Sequence, residues 1–420
     1  MHDFQYRQGE LYCEDVPLSR IAKEVGTPCY VYSHHTLVRH FRVYDGAFGN
    51  LPHIVAFAMK ANSNLAVLRL MAKEGSGVDI VSGGELFRAL KAGVPASKIV
   101  FAGVGKKPDE IRDALKAEIL MFNVESSAEL RAINDVAASM DVKSRVALRI
   151  NPDIDPQTHP YISTGLKKSK FGIAADRALE EFKVAEAFSH IEVVGLHAHI
   201  GSQLTEVSPF VEALKKVLTM VQTLTEQGIP IRYINIGGGL GITYSNETPP
   251  EPKDLADAIA PLVRDLKCVL IMEPGRVIVG NAGVLLTKVL YTKDGEGKRF
   301  LIVDAAMNDL IRPSLYDAYH DIRPLYESVT HAPKKTVDVV GPVCESGDFL
   351  AKDRVMPDMN AGDLMAVMSA GAYGFVMSSN YNSRPRVAEV LVHEGQIHVI
   401  RSRETNDDLV RGEQIPAFLL

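Results

Sequence analysis

Eight short apolar runs, each followed by a polar turn and a stretch of helical period, organise the first two thirds of this 420-residue chain. The runs lie at 54–59, 78–81, 99–102, 120–124, 146–150, 193–200, 233–236 and 269–272. Amphipathic patterns separate them, among them 85–92, 108–116, 128–138, 177–188, 209–227 and 252–266. Strands that alternate with helices pair in parallel, because each helix returns the chain to the end where the last strand began. Eight such units in one segment predict a (β/α)8 TIM barrel, an α/β fold, rather than an open doubly wound sheet.

The rhythm changes after about residue 280. Short β-rich runs follow at 284–291, 300–303, 337–340, 364–368, 388–392 and 397–401, with a turn at 294–297. They predict a second, mainly β domain of sandwich or barrel type. The first 33 residues carry two further short apolar runs, around 11–13 and 29–32, able to join that sheet. We therefore expect a barrel over 34–279 inserted in a β domain built from 1–33 and 280–420.

Charge and composition exclude several classes. A formal net charge of -6 leaves no basic excess for a nucleic-acid partner. No run approaches the length of a membrane span; the stretch 277–290 is broken by Asn281 and Lys288. The start, M-H-D-F-Q-Y-R-Q-G-E, is too polar for a signal peptide. Four cysteines, Cys13, Cys29, Cys268 and Cys344, show no C-x-x-C spacing. The expectation is a cytoplasmic protein that binds neither nucleic acid nor membrane.

Barrel enzymes work at the C-terminal ends of their strands, so the residue after each run is informative. Lys60 follows the first run, where an amine either snorkels to solvent or, with a lowered pKa, forms a Schiff base. Asp79 lies in the second run, and Ser82-Gly83-Gly84-Glu85 follows it. The fifth ends in Arg149-Ile150-Asn151. The sixth ends in His197-Ala198-His199-Ile200-Gly201-Ser202, which puts both histidines on one face of a strand. Such a pair suits either a metal or the face of a planar ring, but no acidic cluster accompanies it, and no metal centre is expected. The seventh run leads into Gly237-Gly238-Gly239, whose backbone could cradle a phosphate or make a left-handed turn. It does not satisfy G-x-G-x-x-G, nor is Gly103-Val104-Gly105-Lys106-Lys107 a Walker loop. The eighth leads into Glu273-Pro274-Gly275-Arg276, where the acid serves either a protonated ring nitrogen or an ion pair with Arg276.

A Schiff-base lysine, a phosphate cradle and an acid for a ring nitrogen are the parts of a pyridoxal-phosphate site. Seven segments in order resemble the fold-type III pyridoxal-phosphate decarboxylases, with their alanine racemase-like barrel and β domain. They are V-A-F-A-M-K-A-N (55–62), G-V-D-I-V-S-G-G-E (77–85), H-I-G-S-Q (199–203), G-G-G (237–239), E-P-G-R (273–276), C-E-S-G-D (344–348) and G-A-Y-G (371–374). The resemblance covers the chain from about residue 20 to its end. It implies that Lys60 holds the cofactor as a Schiff base, that His199 stacks on the ring, and that Glu273 pairs with its nitrogen. Ser202, the backbone at Gly238, Gly239 and Gly275, Arg276, and Tyr373 would hold the phosphate, and Asp79 would support the site. It also implies a homodimer with shared active sites, in which Cys344 of one subunit protonates the α-carbon in the other.

Substrate choice follows from charge. Arg276, Arg312 and Tyr316 offer donors suited to a carboxylate, Glu345 suits an ammonium, and Tyr373 is expected among the substrate-binding residues. A distal amino-acid head needs both kinds of group. Within the family, the resemblance therefore points to decarboxylation of meso-2,6-diaminopimelate to L-lysine and carbon dioxide, the last step of lysine biosynthesis. Decarboxylation of ornithine, arginine or carboxynorspermidine is the alternative reaction, and a non-catalytic homologue the alternative class.

Overall fold

The computed structural model describes residues 2–154, 170–295 and 297–420, and divides the chain into two compact units. One is Val38–Ile278; the other joins Met1–Leu37 to Val279–Leu420.

The first unit is a closed barrel. Its eight strands are His53–Ala58, Gly77–Ile80, Ile99–Phe101, Met121–Val124, Ser144–Asn151, Ile191–His197, Tyr233–Asn235 and Val269–Met272. Each pairs in parallel with the next, and the eighth closes on the first with Met272 opposite Val55. A short extra strand, Ile173–Ala174, lies against the fifth. Small and large side chains alternate in the core, where Ala56, Val100, Met121, Ala147, Val194 and Ile271 cluster. Mixed sizes of this kind fill a barrel in layers without leaving a pore.

Polar residues after the strands start the helices promptly. Asn64, Ser82 and Ser126 accept the backbone N–H groups of Ala66, Glu85 and Glu129 at the first turns of Leu65–Lys73, Gly83–Lys91 and Ser127–Ser139. Each cap satisfies a donor the helix cannot, worth about 1 kcal/mol. The turn Asn62-Ser63-Asn64 is part of this device, since Asn62 Oδ1 also accepts the Asn64 N–H.

The sixth strand is shorter than the 193–200 run predicts. Ala198 N–H still reaches the Asn235 carbonyl, but the chain then leaves the ladder, and Leu204 N–H bonds to Gly239 O across the mouth. His197 closes the strand and His199 belongs to the loop, so the two histidines do not share a strand face. Among the described residues no group of His, Cys, Asp and Glu is placed to hold a metal ion.

In the second unit, Cys29–Ser33 is inserted between two strands of the C-terminal half. It runs antiparallel to Gly283–Gly295 and parallel to Ala388–His393. Lys298–Val303, Lys334–Val340 and Phe349–Pro357 extend the sheet on one side and Gln396–Arg401 on the other, while Leu364–Val367 pairs with Gly283–Gly295. Phe4, Leu11, Val16 and Ile21 from the N-terminus share one apolar cluster with Val284, Leu286, Ala366 and Val390. Early residues therefore complete a core that the late residues begin. The strand Phe349–Pro357 and the parallel pairing of Arg299 with Val337 are not announced by the sequence, whose runs there lack regular alternation.

No described helix is long and apolar enough to cross a membrane. Leu286 is 1 % exposed at the centre of the β-unit core. Leu286→Ala is expected to destabilise that unit by about 2–5 kcal/mol, read as a fall in the denaturant midpoint of its unfolding transition.

Candidate active site at the barrel mouth

Lys60 leaves the first strand on a single 3-10 turn, Met59–Ala61, and its ammonium donates to Asp79 Oδ2 at 2.5 Å. The geometry of that turn depends on small neighbours. A Cβ on Gly275 would lie 3.0 Å from Ala61 Cβ and 3.2 Å from Ala58 Cβ, and Ala58 N–H donates to the Pro274 carbonyl. The end of the first strand and the loop after the eighth therefore fit closely, and each requires the other to be small.

Asp79 is fully buried. Its Oδ1 has no hydrogen-bond partner among the described residues. Burial, with the Glu273 charge adding to it, raises its pKa to about 6 against the opposing pull of Lys60.

Glu273, at the end of the eighth strand, sits in a cage of donors. Its Oε1 accepts from Asn235 Nδ2 at 2.6 Å and from Asn123 Nδ2 at 3.2 Å, while Oε2 lies 3.5 Å from His197 Nε2. Burial opposes charge on this carboxyl, but His197, Lys60 and the Asn235 amide outweigh it and hold the pKa below the usual carboxylate range. A carboxylate that stays ionised at the foot of the mouth is suited to pair with a cationic ring nitrogen.

His199 is half-buried in the loop after the sixth strand, and its Nδ1 accepts the Gly238 N–H at 3.3 Å. Burial lowers its pKa well below the ordinary value, with Arg149 and Lys60 adding to the effect. A neutral ring results, free of the charge that would repel a cationic partner. Arg276 is buried and donates from Nη1 to the Tyr244 hydroxyl at 2.6 Å and from Nη2 to Ser202 Oγ at 3.1 Å. The glycines at 237–239 allow loop to touch loop. A Cβ on Gly238 would fall 2.0 Å from the Glu273 carbonyl oxygen, and one on Gly239 2.4 Å from the Gly201 carbonyl oxygen. Gly237 and Gly239 also have φ of 67° and 127°, where side chains are strained.

Within the barrel unit, then, Lys60, Asp79, His199, Ser202, Gly238, Gly239, Glu273, Gly275 and Arg276 come together. Asn123, Asn235 and Tyr244 join them through the hydrogen bonds above, and His197 through its 3.5 Å approach to Glu273. Asn123 and Asn235 carried one sequence signal, a polar residue inside a buried apolar run, which demands a partner. Tyr244 carried none.

The remaining candidates lie in the β unit. Arg312 is buried and donates from Nη1 to His320 Nε2 at 2.8 Å. Tyr316 ends the short helix Arg312–Tyr316 and is half-buried. Cys344 is exposed, with its backbone N–H on Asn382 Oδ1 at 2.8 Å, and Glu345 Oε2 accepts from the Tyr381 hydroxyl at 3.4 Å. Tyr373 has a φ of 56°, unusual for an aromatic residue, in a loop where a Cβ on Gly374 would meet the Ala370 carbonyl oxygen at 2.4 Å.

Residues 34–280 match the family model for the pyridoxal binding domain of pyridoxal-dependent decarboxylases. The chain is 51% identical over 408 residues to a diaminopimelate decarboxylase of Aquifex aeolicus, covering 97% of this chain and 96% of that one. It is 53% identical over 415 residues to the Pseudomonas aeruginosa diaminopimelate decarboxylase, with 99% of each covered. The crystal structure of the Helicobacter pylori diaminopimelate decarboxylase complexed with L-lysine is similar at a TM-score of 0.90 and 46% identity, over 94% of this chain and 98% of that one.

The Asp79 environment has a consequence for stability. The folded carboxyl takes up its proton near pH 6, whereas an unfolded one does so near about 3.9. The folded state therefore binds more protons between those values, and the contribution of this group falls as pH rises through about 6. Asp79→Asn is expected to gain thermal stability relative to the parent protein between pH 4 and pH 7, read from melting midpoints of the cofactor-free forms across that range.

Proposed function

The chain belongs to the pyridoxal-dependent decarboxylases, and we propose that it removes one carboxylate of meso-diaminopimelate to leave L-lysine and carbon dioxide. The observation that carries the proposal is the barrel mouth: an amine on a buried carboxylate, Lys60 on Asp79, with the ionised Glu273 caged near by. Identity of 51–53% to diaminopimelate decarboxylases over nearly the whole chain supports the choice of substrate.

The residues fit the cofactor. Lys60 supplies the amine that would hold its aldehyde carbon, and Glu273 the carboxylate for its ring nitrogen. His199 offers a neutral ring face. Ser202, Gly238, Gly239, Gly275, Arg276 and Tyr373 are the groups that would receive a phosphate. The buried Asp79 Oδ1, with no hydrogen-bond partner among the described residues, marks a polar site able to take a further donor. When bound, pyridoxal phosphate supplies an electron sink for the charge left as carbon dioxide departs.

The protein's own groups do the rest. Glu273, held ionised by its neighbours, would favour a proton on the ring nitrogen. Lys60 would yield the cofactor to the substrate amine, and its own amine is placed to exchange a proton with Asp79. Arg276, Arg312, Tyr316, Glu345 and Tyr373 take the substrate's distal head, arginines on the carboxylate and Glu345 on the ammonium. Cys344 delivers a proton to the α-carbon, from the second subunit of a homodimer with shared sites. The exposure of Cys344 and Glu345 in the β unit supports that assignment. The setting we infer is the cytoplasm.

Carbon dioxide release from meso-diaminopimelate by the reconstituted protein, against none from ornithine, tests the substrate. Lys60→Ala is expected to abolish turnover and the yellow cofactor absorbance. Cys344→Ala is expected to lower kcat by about 10²–10⁴-fold with that absorbance retained. Mixing the two inactive variants would restore roughly a quarter of the parent activity if each site uses both subunits. No recovery on mixing would remove the shared-site assignment.

A further inference from the structure

Beside Arg312 in the β unit lies a buried histidine that the proposed chemistry does not use. His320 has no solvent exposure, and its two ring nitrogens meet groups of opposite kind. Nε2 is 2.8 Å from Arg312 Nη1, and Nδ1 is 2.8 Å from the Met368 carbonyl oxygen. A guanidinium can only donate and a carbonyl can only accept. The proton therefore sits on Nδ1 and the lone pair on Nε2, so the ring is neutral and held in one tautomer. Its backbone is fixed as well. The His320 carbonyl accepts from Arg354 Nη1 at 2.8 Å, and the next residue, Asp321, accepts the Met368 N–H at 2.8 Å. The strand Ile322–Pro324 then pairs with Leu364–Val367.

We propose that His320 is a positioning residue for substrate selection, aiming the Arg312 guanidinium at the substrate's distal carboxylate. The choice of a neutral acceptor has a physical reason. An aspartate or glutamate in its place would fix the guanidinium equally well, but would cancel the charge that the substrate carboxylate needs. An imidazole lone pair occupies one of the five N–H donors, sets the plane of the fork, and adds no negative charge of its own. The proposal rests on the role given to Arg312 above.

Two amide substitutions separate the ring nitrogens in the holoenzyme. His320→Asn can keep the donor to Met368 but removes the acceptor for Arg312; His320→Gln can keep the acceptor and removes the donor. His320→Asn is expected to raise KM for meso-diaminopimelate about tenfold and to weaken competitive inhibition by L-lysine to a similar extent. Inhibition by 1,5-diaminopentane, which has no carboxylate, is expected to stay unchanged. His320→Gln is expected to recover most of the loss. Equal weakening of all three ligands in both variants would mean that His320 only supports the scaffold, and would overturn the inference. If His320→Asn left KM and lysine inhibition unchanged while Arg312→Ala raised KM, the inference would fail and the role of Arg312 would stand. If Arg312→Ala left KM unchanged, both would fall. Nitrogen-15 NMR of the histidines in the parent protein gives a readout independent of any variant. A buried neutral ring protonated at Nδ1 is expected, and a ring protonated on both nitrogens at pH 7 would overturn the proposal.

Discussion

A carboxylate buried at the end of a barrel strand stays ionised only if the barrel surrounds it with donors. Glu273 meets that requirement with amides from the fourth and seventh strands and a histidine from the sixth. Each contact is modest alone, but an unsatisfied buried charge would cost several kcal/mol. Four strands are thereby tied to one carboxyl group, and their spacing around the barrel must be right for the cage to close.

The same requirement runs outward. Lys60 and Asp79 form a pair in which one member is fully buried and the other part-exposed. The arrangement keeps the amine within reach of a ligand while its counter-charge stays fixed. The glycine loop and the Gly275 turn approach so closely that a methyl group would collide with a carbonyl oxygen or with an alanine side chain. Close backbone contact of this kind fixes where N–H groups point, which flexible side chains could not do. In the β unit the same economy appears at Arg312, whose charge is oriented by a neutral ring rather than by an acid.

The eight-run rhythm was legible because parallel strands buried on both faces need continuous apolar runs, and their helices need an amphipathic period. It gave the barrel and the places where chemistry would sit. Lys60 and Glu273 could be located from it, since each follows a run. The end of the sixth strand could not. A run of apolar and histidine residues reads as strand through 200, and only the cross-loop bond from Leu204 to Gly239 shows that the ladder stops at His197. Tyr244 was equally hidden, because a tyrosine in a loop carries no periodic signal, and its contact with Arg276 spans 32 residues.

What the sequence determined by itself was therefore periodic or local: the barrel, the β-rich remainder, and the residue types at each strand end. Tertiary structure alone decided partners across long separations. It brought Asn123 to Glu273 over 150 residues, gave Cys29–Ser33 its place between strands more than 250 residues later, and assigned a tautomer to His320 through Arg312 and Met368. The physical reason is that hydrophobic period is a one-dimensional property, whereas the ionisation state of a buried group is set by whichever donors and acceptors the closed fold places around it.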